Sequence, residues 1–203
     1  GGLGADSLIG GGGSDTFVSG GGNDSIAGSE DVGDTDIDVL DYSDEVADIT
    51  VTYTGDEAGI VTGVSTGTDT FVEIERIIFT DDDDNVNAVA DTVGVTLDTQ
   101  GGADFVRAGR GSDSLDGGEG VDRLSYIDST SPVTIDIESG TVSGAGTGND
   151  TFANFEEFTL TTGDDVAKGS TGNDSIDANA GNDSGEAGAG YHKALDGRRK
   201  GTR

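Results

Sequence analysis

A spacing constrains this chain more than any other feature. Asp6, Asp15 and Asp24 stand nine residues apart in three tandem units, GGLGADSLI, GGGGSDTFV and SGGGNDSIA. Each unit carries glycine at its second and fourth positions and a large apolar residue two places after the aspartate: Leu8, Phe17 and Ile26. Glycine permits positive φ and leaves main-chain carbonyls bare, and the carboxylate beside it adds a hard anionic oxygen at the same turn. An all-oxygen donor set of this kind favours Ca²⁺. The three residues after each aspartate suffice for one short strand whose central side chain points inward.

The units resemble the calcium-binding nonapeptide G-G-x-G-x-D-x-U-x of RTX (hemolysin-type) repeat proteins. That resemblance implies an all-β fold, a right-handed parallel β-roll or β-solenoid in which two loop-and-strand halves close each turn and the nonapeptide turns bind calcium. Loops two units apart then stack along one edge at about the 4.8 Å spacing of neighbouring strands. Asp6 and Asp24 are expected to share one edge and Asp15 to lie on the other.

The same nine-residue phase returns twice. Asp104, Asp113 and Asp122 precede Val106, Leu115 and Leu124, and Asp165, Asp174 and Asp183 precede Ala167, Ile176 and Gly185. Asp38 with Leu40, and Asp84 with Val86, keep the offset outside these clusters. The eleven aspartates are the expected metal ligands. After Asp183 the next position in phase holds His192, where the ladder is expected to end.

Between the clusters lie two copies of a different segment. LDYS at 40–43 answers LSYI at 124–127, and GTDTF at 67–71 answers GNDTF at 148–152. Ile49, Val51 and Tyr53 alternate with threonines, as Val133, Ile135 and Ile137 alternate with polar residues, which is the pattern of a half-buried strand. Phe71, Ile74, Ile77 and Phe79 correspond to Phe152, Phe155, Phe158 and Leu160. Duplication of this kind points to a solenoid built by stacking, with the inserted segments either continuing it or bulging from it as small antiparallel sheets. The expected organisation is a repeat block at 1–27, an insertion at 28–98, a block at 99–125, the second insertion at 126–164, a block at 165–190 and an atypical basic tail at 191–203.

Charge agrees with a cation-binding body. Residues 1–190 carry 40 of the 41 acidic residues and five of the ten basic ones, a net charge of −35. Such a surface repels nucleic acid and anionic membranes and attracts divalent cations. With 37 glycines and 5% aromatic residues, the chain lacks the material for a large globular core. There is no cysteine for disulfides or thiolate metal sites, and no apolar run approaches the roughly 20 residues of a membrane-spanning helix. A start inside a repeat, without Met, reads as a fragment of a longer protein.

Other signals are weaker. A disordered acidic linker shares this composition, but not three clusters in strict phase with an apolar residue at a fixed offset. Asp34, Asp36 and Asp38 with Glu45 imitate an EF-hand loop, yet Val39 occupies its glycine position. The Asn-Asp-Ser/Thr triplets at 23, 149, 173 and 182 follow from the repeat and are not read as glycosylation sites. The threonine alternations at 50–54 and 66–70 could form a flat ladder of the ice-binding kind, although exposed strand faces ordinarily carry threonine. The sole histidine, His192, excludes an HExxH zinc site, and no phosphate-binding or dinucleotide fingerprint is present.

The expected function is a non-catalytic calcium-binding module that folds when calcium binds. The family resemblance further implies secretion through type I machinery, an extracellular location, and a role within a larger bacterial protein. The alternatives are a calcium-rigidified adhesin or surface-layer segment, or the C-terminal module of a secreted protease, lipase or epimerase.

Overall fold

The computed structural model describes residues 1–29 and 35–186, together with the backbone of Lys193–Asp196. The described residues form strands and turns only, and no helix is long and apolar enough to cross a membrane. Two large sheets, of eleven and ten strands, face each other across a thin core, with a third sheet of two short strands, Gly101–Gly102 and Glu119–Gly120. The chain shuttles between the large sheets strand by strand. Ser7–Ile9 and Ser25–Ala27 pair in parallel in the first, Thr16–Val18 and Val39–Asp41 in the second. All-β parallel stacking of this kind is a β-roll.

Three-residue strands bury one side chain each, and parallel register aligns those side chains in rows. In the second sheet Phe17 pairs with Leu40, Leu40 with Ile77, Ile77 with Leu97, Leu97 with Leu115 and Leu115 with Phe152. In the first, Val51 pairs with Val86, Val86 with Val106, Val106 with Leu124, Leu124 with Phe158 and Phe158 with Ile176. Most of these are fully buried. One apolar side chain per half-coil is the whole contribution of a nonapeptide to the core.

Glycine is required where turns of successive coils touch. Gly22 has φ of +140°, and a Cβ there would run into the Gly4 carbonyl of the coil before. Any other residue would push the turns apart.

The inserted segments neither bulge out nor interrupt the sheets. Ile49–Gly55, Ala58–Gly63 and Gly67–Val72 form an antiparallel meander lying within the first sheet. Because three strands run up, down and up, the outer two share one direction. Gly67–Val72 therefore pairs in parallel with Ser25–Ala27, and Ile49–Gly55 in parallel with Asn85–Asn87. The second copy, Val133–Asp136, Thr141–Gly144 and Gly148–Ala153, does the same in the opposite sheet. The first meander lengthens one sheet by two strands and the second lengthens the other, so the sheets come back into step.

The meanders also hold the larger side chains. Tyr53 meets Phe71 edge-on at 5.3 Å between ring centres, and Phe152 lies 5.3 Å from Phe158. These rings fill the core where the nonapeptide coils leave it thin. Leu124→Ala, at a site with no exposure, is expected to cost about 2–5 kcal/mol in urea unfolding with calcium present, whereas Val121→Ala, 58% exposed, is expected to stay within about 0.5 kcal/mol.

Candidate metal centre

Each nonapeptide aspartate sits at the end of its turn, immediately before the strand. There the next coil stacks at strand spacing, and in most of them one carboxylate oxygen accepts the main-chain N–H at the same position of the coil before. Asp24 Oδ1 accepts from Asp6 N at 2.9 Å and Asp38 Oδ1 from Asp15 N at 2.7 Å. Asp104 Oδ1 accepts from Asp84 N at 2.7 Å, and Asp122 Oδ1 from Asp104 N at 2.8 Å. Asp113 Oδ1 accepts from Val95 N at 3.1 Å and Asp183 Oδ1 from Asp165 N at 3.0 Å. Two carboxylate ladders result, one for the turns entering each sheet. Asp6 and Asp24 stand on one and Asp15 on the other.

The second carboxylate oxygen divides the aspartates. In Asp15, Asp24, Asp104, Asp113 and Asp122 the Oδ2 atom is buried and has no hydrogen-bond partner. Asp24, Asp104, Asp113 and Asp122 are each at least 98% buried as residues. A buried, unpartnered charged oxygen costs more than the roughly 1–3 kcal/mol of a neutral polar group. Five along one molecule need a cation or protons.

The surroundings suit a cation. A Cβ on Gly1 would stand 2.8 Å from Asp24 Oδ2, and one on Gly10 would fill the space between Asp15 Oδ2 and the Gly28 carbonyl. Bare glycine thus keeps a cradle open beside the oxygen. Among the described residues no three acidic, histidine or cysteine side chains converge as a metal cage. A cation here would take one or two carboxylates and complete its shell from main-chain carbonyls, an oxygen set natural to Ca²⁺ and foreign to thiophilic metals.

Burial also shifts these groups. It pushes the Asp104 carboxyl up to about 7 and that of Asp113 up to about 6, against the N–H donors that favour the ionised form. Asp122 is raised for the same reason, and the neighbouring Glu156 charge adds to it.

Asp84, Asp165 and Asp174 differ, because a hydroxyl residue four positions upstream closes the turn. Asp84 Oδ2 accepts from Thr80 N at 2.9 Å and Thr80 Oγ1 at 3.0 Å. Asp165 Oδ2 accepts from Thr161 N at 3.0 Å and Thr161 Oγ1 at 3.1 Å. Ser170 donates to Asp174 from N at 2.7 Å and from Oγ at 2.8 Å. Burial raises Asp84 to about 6. Asp6, at the start of its ladder, is half-buried, and Asp183, at the end of the other, is exposed. His192 and most of the basic tail lie outside the described residues, as does Asp34 of the EF-hand-like stretch; Asp36 Oδ2 accepts from Gly13 N at 2.8 Å.

Four ladder members escaped the sequence reading. Asp69 Oδ1 accepts from Asp24 N at 2.8 Å, and Asp150 Oδ1 from Asp113 N at 3.0 Å. Glu75 accepts from Asp38 N at 2.6 Å and Glu156 from Asp122 N at 3.0 Å. The signal was present in Gly67, Asp69 and Phe71, which repeat the offsets of Gly22, Asp24 and Ile26. The second oxygen of each of these aspartates is capped by tyrosine: Tyr42 Oη donates to Asp69 Oδ2 at 2.9 Å, and Tyr126 Oη to Asp150 Oδ2 at 2.8 Å. Burial and the adjacent aspartate charge hold both phenols far above their ordinary pKa, so they act as donors.

The model of the RTX calcium-binding nonapeptide repeat matches residues 1–31, 96–126 and 160–191. No curated protein matches the chain. These three segments carry RTX-type calcium-binding repeats, and the nonapeptide blocks bind calcium ions.

Proposed function

We propose that the module is a calcium-dependent folding switch, in which Asp15, Asp24, Asp104, Asp113 and Asp122 are the principal ligands, with Asp6, Asp38 and Asp183 completing the ladders at their sides and ends. The observation that carries this reading is the row of buried Oδ2 atoms without partners. Bound Ca²⁺ supplies the positive charge that those oxygens lack. The chain's own part is to hold one carboxylate oxygen on the neighbouring coil's N–H, aim the other into the turn, and keep the turn open with glycine.

Without the cation, a body of net charge −35 repels itself while each half-coil contributes one large apolar side chain. Folding of the open coils and calcium binding are then one equilibrium. Extracellular calcium modules bind at about 10⁻⁴ to 10⁻³ M, and free calcium tenfold above Kd adds about 1.4 kcal/mol per site. Several sites together reach the scale of an ordinary domain's stability, about 5–15 kcal/mol. That affinity range suits an extracellular protein that leaves the cell extended and folds outside. Type I secretion and a role as the calcium-binding part of a larger secreted protein belong to the same reading.

Far-UV circular dichroism of the full chain, titrated from EGTA to about 10 mM calcium, is expected to show a cooperative gain of β signal that magnesium does not reproduce. Asp122→Asn is expected to move the midpoint to higher calcium; a spectrum unchanged by calcium contradicts the switch.

The raised carboxyls set a pH dependence. A folded-state pKa near 6 to 7, against about 3.9 unfolded, means that the calcium-free fold binds more protons than the unfolded chain in between. Its stability therefore falls as pH rises from about 4 to 7. In EGTA, far-UV circular dichroism should retain more β signal at about pH 5 than at about pH 7; a signal independent of pH over that range would contradict it.

A further inference from the structure

Each meander meets the parallel roll at two joints, and all four joints are closed by a protein hydroxyl. At the first meander, Tyr42 Oη caps Asp69 Oδ2 where Gly67–Val72 meets Ser25–Ala27. Thr80 caps Asp84 where Ile49–Gly55 meets Asn85–Asn87, and Asp84 Oδ1 accepts from Ile49 N at 2.7 Å. The second meander repeats both closures in the opposite sheet. Tyr126 Oη caps Asp150 Oδ2, Thr161 caps Asp165, and Asp165 Oδ1 accepts from Val133 N at 2.8 Å.

The contrast with the open turns is local and chemical. Four residues before Asp15, Asp24, Asp113 and Asp122 stand Gly11, Gly20, Gly109 and Gly118, and before Asp104 stands Gln100; none offers a hydroxyl, and the second oxygen is bare. The same position before Asp84 and Asp165 holds Thr80 and Thr161, whose N–H and O–H take up that oxygen. Tyr42 and Tyr126, each at most 2% exposed, place a phenol against the corresponding oxygen of Asp69 and Asp150.

We propose that the hydroxyls of Tyr42, Thr80, Tyr126 and Thr161 stand in for calcium at the four meander joints, so that Asp69, Asp84, Asp150 and Asp165 bind none. This rests on the calcium reading of the open turns. It divides the ladder into separate calcium runs joined by two calcium-independent clamps. At Asp84 and Asp165 it also makes the residue four positions before the aspartate a determinant of occupancy, with threonine closing the turn.

The number of calcium ions retained by the full chain, measured by equilibrium dialysis for the wild type and for Asp69→Asn, Asp150→Asn and Asp122→Asn, tests the assignment. Asparagine preserves the joint, because its amide oxygen accepts the ladder N–H and its amide nitrogen donates to the tyrosine oxygen. Asp69→Asn and Asp150→Asn are expected to retain the wild-type number, and Asp122→Asn at least one ion fewer. Loss of an ion from either joint variant overturns the proposal and leaves the calcium reading standing. A wild-type chain that retains no calcium overturns both. Thr161→Gly supplies a check that needs no change to a carboxylate. It should gain one ion, and an unchanged number would show that the hydroxyl is not what excludes the cation.

Discussion

The fold depends on how a stack of carboxylates can be buried. A parallel roll with a coil every two strands brings each turn to within strand spacing of the next, so an aspartate at a fixed position faces its own copies along the whole axis. One oxygen of each is satisfied by the backbone of the preceding coil, at 2.7–2.9 Å between Asp104 and Asp84 and between Asp24 and Asp6. The other must be neutralised by a proton, a hydroxyl or a metal. The glycines, the acidity and the thin core all follow from which of these solutions each turn adopts.

Two solutions coexist in this chain. Open turns leave Oδ2 bare, and in the proposed function these turns take calcium. The turns flanking the meanders use Tyr42, Thr80, Tyr126 and Thr161, and there the core is also thickest, with Tyr53 against Phe71 and Phe152 against Phe158. Apolar burial and hydroxyl closure are concentrated together, and the open turns lie where a half-coil has one large apolar residue to offer.

Much of this was legible in the sequence, because a nine-residue period carries both the turn and the strand. The inward positions of Leu40 and Leu124 follow from that period, and the parallel stacking and the separation of Asp6 and Asp24 from Asp15 follow from the RTX resemblance that the period carries. The meanders were legible as duplicated strands, but whether they stay in the sheet depends on strand parity and long-range pairing, which no local pattern records. Asp69 keeps the nine-residue count from Asp24 but was overlooked because the positions between them break the motif, and Asp150 was overlooked because it falls off the count from Asp122, although both coils restore the phase in space. Glu75 and Glu156 were hidden by residue type, since a longer carboxylate reaches the same N–H.

Amide hydrogen exchange measures the central claim most directly, since it reads each coil separately. The account predicts that the ladder amides of Asp6 and Asp104, which face the open carboxylates of Asp24 and Asp122, are protected in calcium and exchange freely in EGTA. The amides of Val61 and Phe71 within the first meander should lose much less protection. Equal protection of the ladder amides with and without calcium would contradict the account, because the buried carboxylates would then be satisfied by the protein alone.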